Sequence, residues 1–368
     1  MTLRRGGPIL CALAAPALLA GCGDSAPAEG GPLNVARTFG EPGTFPGQFA
    51  YARAIEAYED DDGRELLVVV DKAARMQILD AETGDCLAGW KTPEWELGKP
   101  VGLHVGPHPT IRGERALWVG DTHYHRILVY ELPEIPDSAG RIEFNPKDPL
   151  LTFGSFGTEP GQYVYVTDVA VLPATDPDAP SPVERVYVGE YGGNDRITIL
   201  EPALTQEGQA TFEAVSTFGI FGTGDVEGEI HFNRPQSIEV DAARRELVVT
   251  DSGNHRVGRF TLDGEPIAWI AGPDRMHYPY GLQLVGDTGA LVCEFGGCRV
   301  HHIDLESGET LGIYGEPGRS LGQLNSPWGV AVLGREAFVL DSASDRVIAF
   351  RSPAKPRDPV ITAIGGAR

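Results

Sequence analysis

The sequence predicts an all-β fold built from six copies of one unit. In each copy an apolar strand ends in an acidic residue, and an arginine four to six positions later begins another strand. The six pairs, in chain order, are Asp71 and Arg75, Asp121 and Arg126, Glu190 and Arg196, Asp251 and Arg256, Glu294 and Arg299, and Asp341 and Arg346. Successive acids lie 50, 69, 61, 43 and 47 residues apart. Repetition at this spacing predicts units that bury their apolar faces against one another.

Each unit contains four short strand patterns separated by turn residues. In the last copy they read PWGVAVL, EAFVLDS, RVIAFRS and VITAIGG. Four such strands form an antiparallel meander, which exposes both faces when it stands alone. Six meanders arranged around an axis bury one another's faces. The sequence therefore predicts a six-bladed β-propeller of four-stranded antiparallel blades over residues 33–368.

Two segments have the sequence expected of the strand that closes the ring. Pro359–Gly365 would be the last blade's own outer strand. Leu33–Gly40 has the same apolar alternation and would lock the first blade to the last. A four-stranded blade has room for one of them, and the sequence leaves both open.

Residues 1–21 have the features of a signal peptide. Two arginines precede the apolar stretch Ile9–Ala20, which is too short to span a bilayer. The segment ending in Cys22 resembles the lipobox of bacterial lipoproteins, so we expect a lipid on Cys22 and a flexible tether over residues 22–32. An ordinary secretory signal is the alternative. We expect a lipid-anchored protein of the bacterial cell envelope, in the periplasm or at the cell surface. Gly23 after the cysteine favours the outer membrane.

The net charge of the chain excludes one class of partner. The net charge of −22 repels phosphate backbones, which argues against a nucleic-acid partner.

Cys293 and Cys298 flank a short turn between two strands, where a disulfide is sterically reasonable. Two free thiols are the alternative, and a zinc site would require further ligands close by.

The fourth unit carries the clearest family pattern. DSGNHRV at Asp251–Val257, preceded by FNRPQSIEV, resembles the NHL-repeat family of six-bladed propellers, and looser copies extend the likeness over about Thr38–Phe350. The resemblance implies the fold but not an activity, because the family includes RNA binders, scaffolds and one branch of lyases. Since the acid–arginine pairs recur in every unit, we interpret them as structural ion pairs within or between blades.

The position after the proline of each first strand varies within this repeating frame. It holds Arg53, Val101, Thr167, Gln236, Tyr280 and Trp328. In a propeller these residues begin the innermost strands, so we expect them to ring one mouth of the central channel. With His277 and Tyr278 beside Tyr280, they predict an aromatic surface for an envelope protein, a peptide or a carbohydrate. Simple filling of the channel is the alternative.

An enzyme with a metal in the central channel is the rival hypothesis, either a lyase or a hydrolase. The lyase branch of the family implies histidine after the first-strand proline in several blades, and none of the six positions here is histidine. Related six-bladed lactonases imply calcium in the channel, for which Glu56, Asp168, Asn194 and Glu239 have suitable side chains. We assign no catalytic residue and no metal ligand, and we predict no cofactor, with structural calcium left open. The sequence thus predicts a binding module.

Overall fold

The computed structural model describes residues 31–97, 99–135, 141–224, 228–272 and 274–357. Six four-stranded antiparallel sheets surround a central channel, which confirms the predicted six-bladed β-propeller. The signal segment and Cys22 lie outside the described residues. Within the described ranges, no helix has the length and apolar character needed to cross a membrane.

The strands follow the repeat in chain order. After β1 (Val35–Phe39), the first blade contains β2 (Ala52–Glu59), β3 (Glu65–Asp71), β4 (Arg75–Asp80) and β5 (Cys86–Lys91). The second contains β6 (Gly102–Pro107), β7 (Arg115–Asp121), β8 (Arg126–Glu131) and β9 (Leu151–Phe153). A short parallel pair, β10 (Ser155–Phe156) and β11 (Gln162–Tyr163), leads to the third blade. That blade contains β12 (Tyr165–Pro173), β13 (Val183–Tyr191), β14 (Arg196–Leu204) and β15 (Ala210–Phe218).

The second half of the ring repeats this order. A parallel pair, β16 (Ile220–Phe221) and β17 (His231–Phe232), precedes the fourth blade. This blade contains β18 (Pro235–Asp241), β19 (Glu246–Asp251), β20 (Arg256–Thr261) and β21 (Pro266–Ile270). The fifth contains β22 (Pro279–Val285), β23 (Gly289–Glu294), β24 (Arg299–Asp304) and β25 (Thr310–Tyr314). The sixth contains β26 (Pro327–Leu333), β27 (Glu336–Asp341) and β28 (Arg346–Arg351). One-turn 3₁₀ helices join the second and third strands of three blades, at Thr122–Tyr124, Ser252–Asn254 and Ser342–Ser344.

The ring is closed by the N-terminal strand. β1 pairs antiparallel with β28 and supplies the outer strand of the sixth blade, with Phe39 opposite Val347. Arg37 strengthens the closure by donating from Nη1 to Oε1 of Glu336 at 2.9 Å. The segment Leu33–Gly40 therefore takes the place that the sequence left open. The competing segment, Pro359–Gly365, lies outside the described residues.

The acid–arginine pairs are buried ion pairs in all six blades. The arginine Nε lies 2.8 to 3.0 Å from a carboxylate oxygen in each, and every acid is fully buried. The pairs also bind the linker that arrives from the preceding blade. In the third blade, Arg196 donates to the carbonyl of Gln162 at 3.2 Å, and Glu190 accepts from the backbone N–H of Val164 at 2.8 Å. Each pair thus fixes where the inner strand of its own blade begins.

Apolar packing between neighbouring blades forms the core. The described residues contain six clusters that are each shared by two adjacent blades, including the one between the sixth blade and the first. In that closing cluster, Leu67 and Val69 of β3 pack with Phe338 and Leu340 of β27. Burial of this kind stabilises a ring only when every neighbour is present, because no blade has a core of its own.

Of the two states that the sequence left open for Cys293 and Cys298, a disulfide or two free thiols, the structure has the second. Both thiols are free. Cys293 is fully buried and lies opposite Val300 in the ladder of β23 and β24, within the core shared by the fifth and sixth blades. Cys298 lies outside that ladder with a positive φ of 51°. Burial raises the pKa of the Cys293 thiol, so this side chain acts as a small apolar core residue.

Candidate functional site

The central channel contains a small cavity at the level where the inner strands begin. Four of the six variable residues line it: Arg53, Val101, Gln236 and Trp328. Its volume is about 50 Å³, enough for a few water molecules or one small polar group. The residue after the first-strand proline, or its equivalent, therefore reaches the channel in four of the six blades.

The other two variable residues take different positions. Tyr280 is 5% exposed and packs with Val101 and Trp328 in an apolar cluster at the channel mouth. Thr167 does not line the cavity: it is fully buried, and its hydroxyl has no hydrogen-bond partner among the described residues. Its short side chain lies against Gly189 of the neighbouring strand β13, so the structure removes Thr167 from the predicted mouth.

Four aromatic rings pack together at this mouth. Tyr280 stacks on Phe295 with ring centroids 4.6 Å apart, and Trp328 meets both rings edge to face at 4.9 and 5.6 Å. Tyr51 meets Trp328 at 5.9 Å. The rings come from the first, fifth and sixth blades, so the cluster exists only in the closed ring. Edge-to-face packing of this kind holds the rings in fixed positions.

Two arginines lie over these rings. The guanidinium carbon of Arg53 is 5.2 Å from the centroid of Trp328, and that of Arg234 is 5.6 Å from the centroid of Tyr280 and 4.6 Å from that of Tyr191. In the part of the chain that the structure describes, neither guanidinium has a carboxylate oxygen within 4.0 Å. Arg53 Nε is buried without a hydrogen-bond partner. Burial, together with the nearby Arg234 charge, lowers the pKa of Arg53.

Further rings extend the arrangement to the second and third blades. Tyr165 lies 5.2 Å from Tyr191 and 5.5 Å from His123, measured between ring centroids. We call the full set the aromatic collar, and its members are Tyr51, Arg53, His123, Tyr165, Tyr191, Arg234, Tyr280, Phe295 and Trp328. Burial and the charges of Lys99, Arg53 and His125 lower the pKa of His123, which indicates a positive potential here.

His277 and Tyr278 lie beside the collar rather than in the channel. Both are exposed, Tyr278 to 47%. Tyr278 meets the ring of His255 at 4.4 Å, and its backbone N–H donates to His255 Nδ1 at 3.1 Å. They form a small surface cluster next to the mouth.

An apolar rim surrounds the collar. The linkers between blades expose large apolar side chains, namely Phe45, Phe156, Ile220, Phe221 and Leu321, each more than half exposed. These linkers deliver the chain to the inner strands, so the rim lies on the same side of the ring as the collar. Large exposed apolar side chains that gather on one side of a domain are typical of an interaction face.

Three carboxyl groups lie deeper in the channel. Asp168 accepts hydrogen bonds from the Ser237 hydroxyl and the Ile238 N–H, both at 2.9 Å, and Glu56 and Glu239 line the same cavity. Burial raises the pKa of Glu56 to about 8 and that of Asp168 to about 7. Burial, and the nearby Glu56 and Asp168 charges, also raise the pKa of Glu239. The channel therefore holds protonated carboxyl groups near neutral pH.

The residues that suggested a channel calcium site do not assemble as one set. Asn194 donates to Glu190 Oε1 at 2.9 Å, in the loop between β13 and β14, and does not line the channel cavity. Across the described ranges, no group of three or more histidine, cysteine, aspartate or glutamate side chains is placed to hold a metal ion. Burial lowers the pKa of His104, another cavity residue, to about 4.

Sequence analysis missed six members of the collar, although two repeat positions carry a signal for five of them. Tyr51, Tyr165 and Arg234 directly precede the first-strand proline or its equivalent. Tyr191 and Phe295 directly follow the repeat acid in the two blades where that acid is glutamate. Rings and cations at these positions depart from the threonine and serine that follow the acid in the second, fourth and sixth blades.

One family model and two solved structures are similar to this chain. The NHL repeat family model matches residues 232–260, within the fourth blade and its entry linker. No curated protein gives a significant sequence match. A solved streptogramin B lyase is 15% identical over 87% of this chain and 87% of its own, with a TM-score of 0.46. Virginiamycin B lyase from Staphylococcus aureus is 14% identical over 80% of this chain and 78% of its own, with a TM-score of 0.44. This chain is a six-bladed β-propeller that carries an NHL repeat in its fourth blade.

Proposed function

We propose that this protein is a binding module of the bacterial cell envelope, which captures a ligand or a partner protein at the aromatic collar. The observation that carries the proposal is the collar itself. Rings and guanidinium groups from all six blades, or from the linkers that enter them, converge on one mouth of the channel. A core that needed only filling would not require two arginines without carboxylate partners.

The chemistry of the collar is that of a binding hot spot. Tryptophan, tyrosine and arginine contribute most to recognition surfaces, because they offer large contact areas together with hydrogen-bond donors. The exposed rim residues, such as Phe156 and Phe221, would add apolar contacts around the collar. Because the cavity below is only about 50 Å³, one end of a ligand could enter it while the rest lay on the rings.

The proposed location depends on the N-terminal segment. The signal features, Cys22 and the tether that follows favour a lipid-anchored protein, with the outer membrane favoured by Gly23. In that location the partner would be an envelope protein, a peptide or a carbohydrate. Labelling the cells with radioactive palmitate, for the wild type and for Cys22→Ala, tests the anchor separately from binding.

Binding can be tested with two matched variants. Trp328→Leu removes a collar ring, whereas Trp90→Leu removes an equally buried ring from β5, at the outer edge of the first blade. The full chain, purified in detergent, would be immobilised and incubated with envelope extract and with a peptide and glycan library. Retained species would be quantified by mass spectrometry.

We expect the wild type and Trp90→Leu to retain the same species, and Trp328→Leu to lose at least about tenfold of the retained amount. Equal thermal stability of the two variants would confirm that the loss is local. Retention of the same species by Trp328→Leu would refute the collar as the binding surface.

A further inference from the structure

We propose that the collar selects an anion, namely a carboxylate joined to a flat apolar group, with the carboxylate placed between Arg53 and Arg234. This inference rests on the proposed function and adds the chemical class of the ligand. The neutral alternative is a sugar or an uncharged peptide segment that uses the rings alone.

The first argument is the imbalance of charge at the mouth. The chain carries a net charge of −22, yet the positively charged side chains at this mouth, Arg53, Arg234 and Lys99, have no carboxylate oxygen within 4.0 Å among the described residues. The carboxylate of Asp195 lies near Arg234, but it accepts from backbone N–H groups, namely those of Arg234, Gly192 and Gly193. Although the protein is acidic, these three cationic side chains at the mouth form no ion pair among the described residues.

The second argument is the geometry of Arg53. This side chain lines the cavity, and its Nε is buried without a hydrogen-bond partner. A guanidinium group presents donors in a fixed plane that matches the two oxygens of a carboxylate. A carboxylate entering the cavity could accept from this donor, and Gln236 also lines that space. The orphaned donor is thus explained by an anion as its partner.

The third argument concerns the carboxyl groups below the arginines. Ionised Glu56, Asp168 and Glu239 would repel an incoming carboxylate and cancel the positive field. Burial raises the pKa of all three carboxyl groups, and that of Glu56 reaches about 8, so that Glu56 remains largely neutral at pH 7. Protonated carboxyl groups offer donors instead of negative charge.

The fourth argument is the apolar surface around the charge. Trp328 and Tyr280 are 7% and 5% exposed, and their ring contacts hold the partly exposed Tyr51 in place at the mouth. A flat apolar group attached to the carboxylate would lie against these rings while the charge faced the arginines. An inorganic anion would contact the arginines but would leave the aromatic rings without a partner.

Two probes of equal shape separate the charge from the ring. Phenylacetate and phenylacetamide both carry a phenyl group, and only the former is an anion. Titration calorimetry would compare them on the full chain and on Arg53→Gln, Arg234→Gln and Arg53→Lys. Arg351→Gln is the matched control, since this exposed arginine ends β28 at the opposite edge of the ring, about 17 Å along the strand from Arg346.

We expect phenylacetate to bind about 10- to 100-fold more tightly than phenylacetamide, as a charge-assisted pair in a partly dry site requires. Arg53→Gln should abolish that difference, Arg234→Gln should reduce it, and Arg53→Lys should retain part of it. Arg351→Gln should bind both probes as the wild type does.

Three outcomes would overturn the inference. Equal affinity for both probes would mean that the collar recognises rings and not charge, which leaves the proposed function standing. An advantage of phenylacetate that survives in Arg53→Gln and Arg234→Gln would place the anion elsewhere. Absence of saturable binding of either probe up to about 10 mM would reject the ligand class. In that case the envelope capture with Trp328→Leu still decides whether the collar binds a partner.

Discussion

Replacing Glu56 by glutamine is expected to remove a pH-dependent loss of stability. Glu56 lies on the inner strand β2 and lines the channel cavity, and burial raises the pKa of its carboxyl group to about 8. Glutamine has nearly the same shape as the protonated acid. The variant therefore fixes the side chain in its neutral form without opening a cavity.

The direction of the change in stability with pH follows from the pKa of Glu56 in the unfolded chain and its pKa in the folded chain. Between pH 4.5, the ordinary value, and about 8, the unfolded chain has lost the proton that the folded chain keeps. Unfolding then releases a proton, so stability from this group is complete below pH 4.5 and is lost as the pH rises through 8. A full proton corresponds to about 1.4 kcal/mol per pH unit. Because channel water screens the charge, we expect about half of that slope.

Urea denaturation of the wild type and of Glu56→Gln between pH 5.5 and about 7.5 measures the effect. The free energy of unfolding of the wild type should fall relative to the variant by about 1 to 2 kcal/mol over this range. Glu59→Gln, at the exposed end of the same strand, is the control. The reasoning would be refuted if the free energy of unfolding changed with pH in the same way in the wild type and in Glu56→Gln. It would also be refuted if the wild type became more stable than the variant as the pH rose.

Three further predictions test the ring. Asp71→Asn should cost about 3 to 5 kcal/mol in urea denaturation, because it leaves the buried Arg75 without its carboxylate. Gly89→Val should cost about 1 to 3 kcal/mol in the same assay, since its Cβ would lie 2.5 Å from an aromatic carbon of the insertion that follows β8. Alkylation of the folded protein, read by mass spectrometry, should label Cys298 and spare Cys293, because only the first is partly exposed.

Each of these predictions has an internal control. The double variant Asp71→Asn/Arg75→Met should lose less than the sum of the two single variants, because the partners act as one unit. Gly272→Ala, where a Cβ meets nothing within 4 Å, should change stability by less than about 0.5 kcal/mol. If neither Cys293 nor Cys298 reacts until a reductant is added, the two thiols are joined and the free-thiol structure is wrong.

The repeat alone was sufficient to predict the fold. Six acids followed by arginines mark six blades, because each blade must fix its loop and the incoming linker in the same way. The consecutive apolar residues Leu247–Val249, for example, fit a strand with neighbours on both faces. Both the acid–arginine pairs and the apolar strands are set by residues close together in sequence. A pattern of this kind that recurs six times can be recognised from the sequence alone.

Sequence reasoning placed only part of the site. Arg53, Gln236 and Trp328 line the channel cavity and Tyr280 packs beside it, since their repeat position begins the inner strand. Thr167 instead lies against Gly189 and does not line the cavity, although Val101, with a side chain of the same size at the same repeat position, does. A repeat position determines where a Cα lies, whereas packing against the neighbouring strand decides which side chains reach the channel.

The remaining features were decided by closure of the ring. Whether Leu33–Gly40 joins the last blade depends on competition between two distant segments for one edge, and a single sequence pattern cannot rank them. The contact of Tyr51 with Trp328 joins residues 277 positions apart, and the lack of a carboxylate beside Arg53 depends on every side chain around the mouth. The sequence by itself determined the blades and their order. Only the tertiary structure decided which rings and charges meet at the axis, because that meeting requires all six blades at once.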